Sequence, residues 1–294
     1  MTCPLCPRRC PVDRARETGF CGAGPLPVVA TACVHRREEP PLSGTHGSGA
    51  VFFAGCNLRC VFCQNHEISR AVSGEALSPE GLADVFFDLA AQGVHNINLV
   101  TPTPHIPTVA AAIRIAKSAG LTLPFVYNTS AYETVEALRT LAGFIDIYLP
   151  DLKYRDEDTA RRYAQAPGYF EAATAAILEM TRQVGTELVL SGGLLKRGLL
   201  IRHLVLPGQR KDALRILDWI AATLPDAAVS LMVQYIPAHR AGEYPELNRR
   251  LTTFEYNSVA AHMQTLGLTK GYHQAPAAAV ADYIPAFSPP TSDL

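Results

Sequence analysis

The chain has 294 residues, 48% hydrophobic and 18% charged, with a formal net charge of −1. That balance supports a buried core and excludes a disordered chain, and the near-neutral charge argues for no nucleic-acid and no membrane partner. No apolar run approaches the roughly 18 residues of a membrane-spanning helix, and "MTCPLCPRRC" lacks the apolar stretch of a secretory signal, so a cytoplasmic protein with reduced thiols is expected.

All eight cysteines fall in the first quarter of the chain. The opening group, Cys3, Cys6, Cys10 and Cys21, has C-x2-C-x3-C-x10-C spacing. Four soft thiolates form a closed metal site, in which zinc, mononuclear iron or an auxiliary 4Fe–4S cluster are all chemically allowed. Arg8 and Arg9 would offset part of its negative charge. Such a site can act as a folding staple, which short segments need, or as an electron relay or substrate anchor. Cys33 stands alone and reads as a packed small residue. Residues 1–49 are therefore expected to form a metal-binding knuckle, an extended arm without periodicity, and the turn-rich connector "EPPLSGTHGSG".

From residue 50 the pattern changes. Short apolar runs, "AVFFAG" (50–55), "NINLVT" (96–101), "PFVYNT" (124–129), "IDIYLPD" (145–151), "LLIRHLVLP" (199–207) and "AVSLMVQYIP" (228–237), read as buried strands. Helical patterns lie between them. The first is "SPEGLADVFFDLAAQG", with Ser78 as N-cap and Pro79 at the first helical position. "PTVAAAIRIAKSAG", "AYETVEALRTLAG", "GYFEAATAAILEMTRQVG" and "QRKDALRILDWIAATLP" follow. Buried strands alternating with amphipathic helices imply an α/β fold with a parallel sheet. Six such units, with no Gly-rich dinucleotide fingerprint after the first strand, fit a partial (β/α)6 TIM-like barrel over residues 50–246. Residues 247–294 are expected to add a C-terminal helix, through "EYNSVAAHMQTLGL", and a tail.

The stretch "GCNLRCVFCQN" places Cys56, Cys60 and Cys63 in C-x3-C-x2-C spacing directly after the first of these strands. In such barrels ligands bind at the carboxyl ends of the strands. A single tetrahedral ion would take a fourth ligand, and His66 is the nearest candidate. A cubane cluster offers the other solution, three thiolates on three irons with the fourth iron left open.

This stretch, following a strand in a repeated strand–helix chain, resembles the radical S-adenosylmethionine (SAM) superfamily. The resemblance implies a 4Fe–4S cluster at Cys56, Cys60 and Cys63 whose open iron chelates SAM. Reductive cleavage then gives a 5′-deoxyadenosyl radical that abstracts hydrogen from a substrate carbon. Phe62 matches the family position near the adenine. Thr101 and Thr103, in "TPTPH", occupy the place of a Gly-Gly-Glu-like stretch that meets the SAM amino group, although those residue types are absent here. Asn128 and Thr129 correspond to a polar pair of the pyruvate formate-lyase activating enzyme branch. "PDLK" resembles that branch's Asp-Leu-Lys, which assigns Asp151 to a monovalent cation beside the SAM carboxylate and Lys153 to cofactor or substrate. "IRHLVLPG" makes Arg202 a second carboxylate contact, with His203 on the opposite face of the strand. His105, Gln234, Tyr235 and His239 are placed near the mouth without individual roles. The cysteine-rich N-terminus resembles a subgroup of that branch.

The resemblance also implies a reduced flavodoxin or ferredoxin as electron donor. Its substrate is either a glycine of a partner glycyl-radical enzyme, or a small molecule or other peptide. A non-catalytic iron–sulfur or electron-transfer protein would explain the cysteines but not the strand-end motifs.

Overall fold

The computed structural model describes residues 2–70 and 72–273; the Pro-rich end of the expected tail lies outside them. In chain order the elements are β1 (Val28–His35), α1 (Pro40–Ser43), β2 (Ser48–Phe53), α2 (His66–Arg70), β3 (Glu75–Ala76), α3 (Pro79–Ala91) and β4 (Ile97–Val100). Next come α4 (Ile106–Ser118), β5 (Phe125–Thr129), α5 (Val135–Arg139), β6 (Ile147–Pro150), α6 (Glu157–Ala164) and α7 (Tyr169–Val184). The chain continues with β7 (Val189–Ser191), β8 (Leu194–Leu204), α8 (Arg210–Thr223), β9 (Ala228–Met232), α9 (Thr253–Thr265) and β10 (Gly271–His273). Among the described residues, no helix is long and apolar enough to cross a membrane.

The sheet order is β10-β9-β8-β6-β5-β4-β2-β1-β3. Every neighbouring pair from β2 to β10 is parallel, and β1 and β3 add an antiparallel margin. The six apolar runs supply β2, β4, β5, β6, β8 and β9, so the architecture is the partial TIM-like barrel that the alternation implies.

Strand alternation sorts the side chains. Phe125, Tyr127, Tyr148, Leu199, Ile201, Val229 and Leu231 join the main core with the helices. The opposite parity, Val126, Ile147, Leu149, Leu200 and Ala228, forms a separate interior cluster. Continuing that parity along β8 from Leu200 puts Arg202 inside the barrel and His203 outside it. The helices cover the outer face: α3 buries Leu82, Phe86 and Leu89 on one stripe. Its Ser78 hydroxyl accepts from the Gly81 amide at 3.2 Å. Ser78→Ala is expected to cost about 1 kcal/mol, read as a lowered urea midpoint with unchanged denaturant slope.

The structure adds to the sequence expectation. The extended arm pairs: "VVATACVH" forms β1 against β2, as its β-branched content allows. The connector then turns inward, and Leu42 of α1 packs into the interior cluster with Val126, Ile147, Leu149 and Leu200. A short helix thus plugs the barrel floor. β8 begins five residues early, as the second arm of a hairpin with β7. Gly192 and Gly193, at φ of 58° and 77°, form the tight turn between them. Finally, α6 was hidden by its polar composition; Asp156 caps it by accepting from the Thr159 amide.

Candidate active site

β2 delivers the chain to Gly55, which sits at φ +84°; a Cβ there would lie 2.7 Å from the Cys21 carbonyl oxygen. Glycine therefore permits the N-terminal knuckle to touch the loop that follows. That loop is held by its own amides. Arg59 and Val61 donate to the carbonyls of Ala164 and Tyr163, and Arg240 donates to that of Val61. Leu58, Val61 and Phe62 are buried, and Phe62 packs edge-on to Tyr235 at 5.7 Å. Cys56, Cys60 and Cys63 then line one wall of a cleft of about 250 Å3 at the carboxyl ends of the parallel strands.

The same cleft is lined by Thr101, Asn128, Thr129, Asp151, Lys153 and Arg202, and by Gln234 and Tyr235. Thr103 lies elsewhere: it lines the cavity of the N-terminal cysteines and donates to Glu133 at 2.6 Å. His105 is buried with Nε2 3.3 Å from the Ala54 carbonyl oxygen. Burial pushes it down to about 4, so it is neutral. His203 is likewise buried on the outer side, its Nδ1 2.7 Å from the Leu152 carbonyl oxygen. His239 stacks on His66 at 4.7 Å, and neither ring lines the cleft.

Arg202 organises the opposite wall. Its Nε donates to Asp151 at 3.0 Å, Nη1 to Glu38 at 3.2 Å, and Nη2 to Asn128 at 2.6 Å. Lys153 donates to the other Asp151 oxygen at 2.8 Å, and Asn98 to Glu38 at 2.9 Å. Burial would push the Asp151 carboxyl up, but the charges of Lys153 and Arg202 prevail and hold it below the usual range. Glu39, 4.0 Å from Arg202, is pushed up by burial, with Arg202 opposing and Glu38 reinforcing the shift. Glu38 and Glu39 were not read as site residues. "REEPP" in a turn-rich connector has the composition of a solvated charge run, and only the inward turn of the arm shows otherwise.

The three thiols carry the chemistry of a metal donor set. Burial pushes Cys56 up to about 11, Cys60 to about 12, and Cys63 upward, while Lys153 pulls each the other way. Without metal they keep their protons, and metal uptake must displace them. Among the described residues, no three His, Cys, Asp or Glu side chains converge closely enough to share one ion. Three thiols at C-x3-C-x2-C spacing in the lining of one cleft are a donor set that suits a cluster held by three cysteines, with one iron left open.

Glu133 is a buried acid behind the cleft. Thr103 and Thr129 donate to it, and its Oε2 has no partner. Burial pushes it from 4.5 up to about 7, with the two hydroxyls opposing. A raised carboxyl binds its proton more tightly in the folded state, so stability falls as pH climbs from about 4.5 through about 7. Glu133→Gln is expected to match the parent near pH 4 and exceed it by up to about 3 kcal/mol at pH 8. Urea midpoints of metal-free protein at the two pH values check this; a gap that stays constant contradicts it.

Cys3, Cys6, Cys10 and Cys21 line a second cavity together with Asn57, whose chain neighbours Cys56 and Leu58 line the cleft. Phe20 N donates to Cys10 Sγ at 3.4 Å. Arg14 Nη1 lies 3.8 Å from Cys3 Sγ and 4.0 Å from Cys21 Sγ.

The sequence profile of the Radical SAM superfamily matches residues 50–220, more than half of the chain. An uncharacterized protein of Methanocaldococcus jannaschii is 31% identical over 260 residues, spanning 85% of this chain and 70% of that one. Among solved structures, methylornithine synthase aligns over 71% of this chain and 59% of its own, at 16% identity and a TM-score of 0.50. A domain of pyruvate-formate lyase-activating enzyme from Bacteroides vulgatus aligns over 62% of this chain and 99% of its own, at 12% identity and a TM-score of 0.44.

Proposed function

This chain belongs to the radical SAM superfamily, whose members are generally enzymes, and on that premise we propose that it is a radical SAM enzyme of the activating-enzyme-like branch. The observation that carries the proposal is a cleft that three half-buried thiols line together with polar and charged side chains at the barrel mouth. Cys56, Cys60 and Cys63 would hold the 4Fe–4S cluster. Together with SAM, it supplies reductive cleavage of the sulfonium and a carbon radical that takes hydrogen from the substrate.

The chain's own residues bind and orient. Phe62 offers an apolar face for the adenine. Lys153 spends one of its three donors on Asp151, leaving two for a carboxylate or substrate. Arg202 is engaged through all three nitrogens, so its main work is to fix Asp151 and Asn128, with its remaining N–H groups left for SAM. Thr101, at φ +60°, holds a backbone conformation that costs a β-branched residue energy, and in the cleft it is the candidate contact for the SAM amino group. Thr129 is committed to Glu133 and steadies the loop after β5. A monovalent cation at Asp151 must share the carboxylate with Lys153 and Arg202 or displace Lys153. The four N-terminal cysteines would hold a second metal centre.

A reduced flavodoxin or ferredoxin supplies the electron. The substrate implied by the branch resemblance of "PDLK" and "IRHLVLPG" is a glycine in a partner protein; a small molecule or other peptide is the second class. Anaerobically reconstituted, reduced protein incubated with SAM is expected to form 5′-deoxyadenosine and methionine. Absence of both, with a cluster signal indifferent to SAM, would leave a non-catalytic iron–sulfur protein. An electron-spin doublet appearing on a candidate partner decides between the two substrate classes.

A further inference from the structure

We infer that Glu133 is the buried counter-charge for the sulfonium of SAM, set behind the cleft wall so that the site prefers the cationic cofactor to its uncharged thioether analogue, S-adenosylhomocysteine. The inference rests on the radical SAM reading above and adds a specificity residue to it.

Glu133 is 1% exposed and stands one side chain behind the cleft. Its Oε1 accepts from the hydroxyl of Thr129, a residue of the cleft lining, and from Thr103 at 2.6 Å. Its Oε2 has no partner. Thr103 Oγ1 lies 3.4 Å from Thr129 Oγ1, and the Ala131 amide donates to the latter at 3.2 Å. The acid, both threonines and the turn after β5 therefore form one unit. Among the described residues no Lys, Arg or His pairs with this carboxyl. The titratable groups that face it are phenols: Tyr127 on β5, Tyr148 on β6 and Tyr169 on α7. An amide would accept the same two hydroxyl bonds, so holding the threonines does not explain an acid here. A buried carboxylate without a cation is costly, and its charge calls for a partner.

The other carboxylates that line the cleft are already matched. Asp151 is shared by Lys153 and Arg202, and Glu38 is held by Arg202 and Asn98. Glu133 is left for a cation that arrives with the ligand, and the sulfonium is the charge that SAM has and its thioether analogue lacks. Across a wall one side chain thick and shielded from water, such a pair attracts enough to change affinity about tenfold. Burial pushes the acid up to about 7, so near neutral pH the empty site holds its proton part of the time. Proton and sulfonium then compete: binding of SAM sends the Glu133 proton to the buffer, and affinity for SAM rises with pH.

The test uses the full chain, reconstituted anaerobically and kept without reductant so that SAM is bound but not cleaved. Equilibrium dialysis gives dissociation constants for SAM and S-adenosylhomocysteine at pH 6 and pH 8. The two ligands share their amino, carboxylate, ribose and adenine groups, so the ratio of their affinities isolates the methylated, charged sulfur. In the parent the preference for SAM is expected to grow about tenfold between the two pH values. In Glu133→Gln, which still accepts from both threonines, the ratio should be the same at both. Glu133→Met is the second variant should the first not fold, and it should show the same flat ratio. Glu39, also pushed up by burial, is present in both variants, so what they lose belongs to Glu133. A residue that only shaped the wall would change both affinities alike and leave the ratio following the parent. That result overturns the assignment, and a flat ratio in the parent overturns it with no variant needed. A parent that binds neither ligand defeats the radical SAM reading, and this assignment with it.

Discussion

Arg202→Met is expected to cost the folded protein about 3–5 kcal/mol, because it removes the cation from a buried network and leaves its carboxylates behind. The side chains of Arg202, Asp151, Glu38 and Glu39 are 12%, 18%, 10% and 6% exposed, so solvent cannot take over from the guanidinium. The loss has a pH signature. In the parent, Asp151 is held below its ordinary range, and the stability this gives is present above the unfolded pKa and lost as pH falls through the folded one. In the variant, the charge of Arg202 no longer opposes burial at Asp151 or at Glu39, so both acids shift toward the protonated form. The deficit should therefore be largest near pH 8 and shrink toward pH 4. Urea titrations of parent and variant at both pH values measure it; a deficit independent of pH would mean that lost packing, not charge, is responsible. Arg202→Lys keeps the charge but not the fork that serves Asp151, Glu38 and Asn128 together, and should fall between the two.

Cys60→Ala is expected to reduce 5′-deoxyadenosine formation to background while costing the metal-free protein no more than about 1–2 kcal/mol. The contrast separates a ligand from a packing residue. Burial pushes the Cys60 thiol up to about 12, so in the metal-free protein it is a neutral side chain packed against the core, and alanine replaces it at modest cost. Only metal uptake draws on its thiolate. The same logic makes cluster assembly release protons, so iron loading of the parent should grow easier as pH rises. A Cys60→Ala protein that retains full SAM cleavage would show that the cluster is held elsewhere.

How much of this was legible in the sequence follows from where the determinants lie. Alternation of apolar strands and capped helices is a local signal, and it located β2, β4, β5, β6, β8 and β9 and the five helices between them. Parity along a single strand sufficed to place Arg202 and His203 on opposite faces. Cysteine spacing divided the thiols into the same two groups that line the cleft and the N-terminal cavity. What was missed depends on long-range geometry. Nothing in "REEPP" says that Glu38 and Glu39 enter the barrel, because their partner Arg202 lies on β8. Thr101 and Thr103 are two residues apart and looked interchangeable, yet the left-handed turn at Thr101 sends one into the cleft and the other toward the N-terminal cavity. His66 looked like a ready fourth ligand until α2 carried its ring against His239.

The inward-turning arm also bears on how the chain is made. Glu38 and Arg202 are 164 positions apart, so the connector is synthesised long before the strand that carries its charged partner. Until β8 has emerged, the acids of the arm stay hydrated and Leu42 has no floor to plug. Closing so long a loop carries a large entropic cost before any contact rewards it. The nascent barrel therefore waits, open at its base, for a latch that was synthesised before any of its parallel strands.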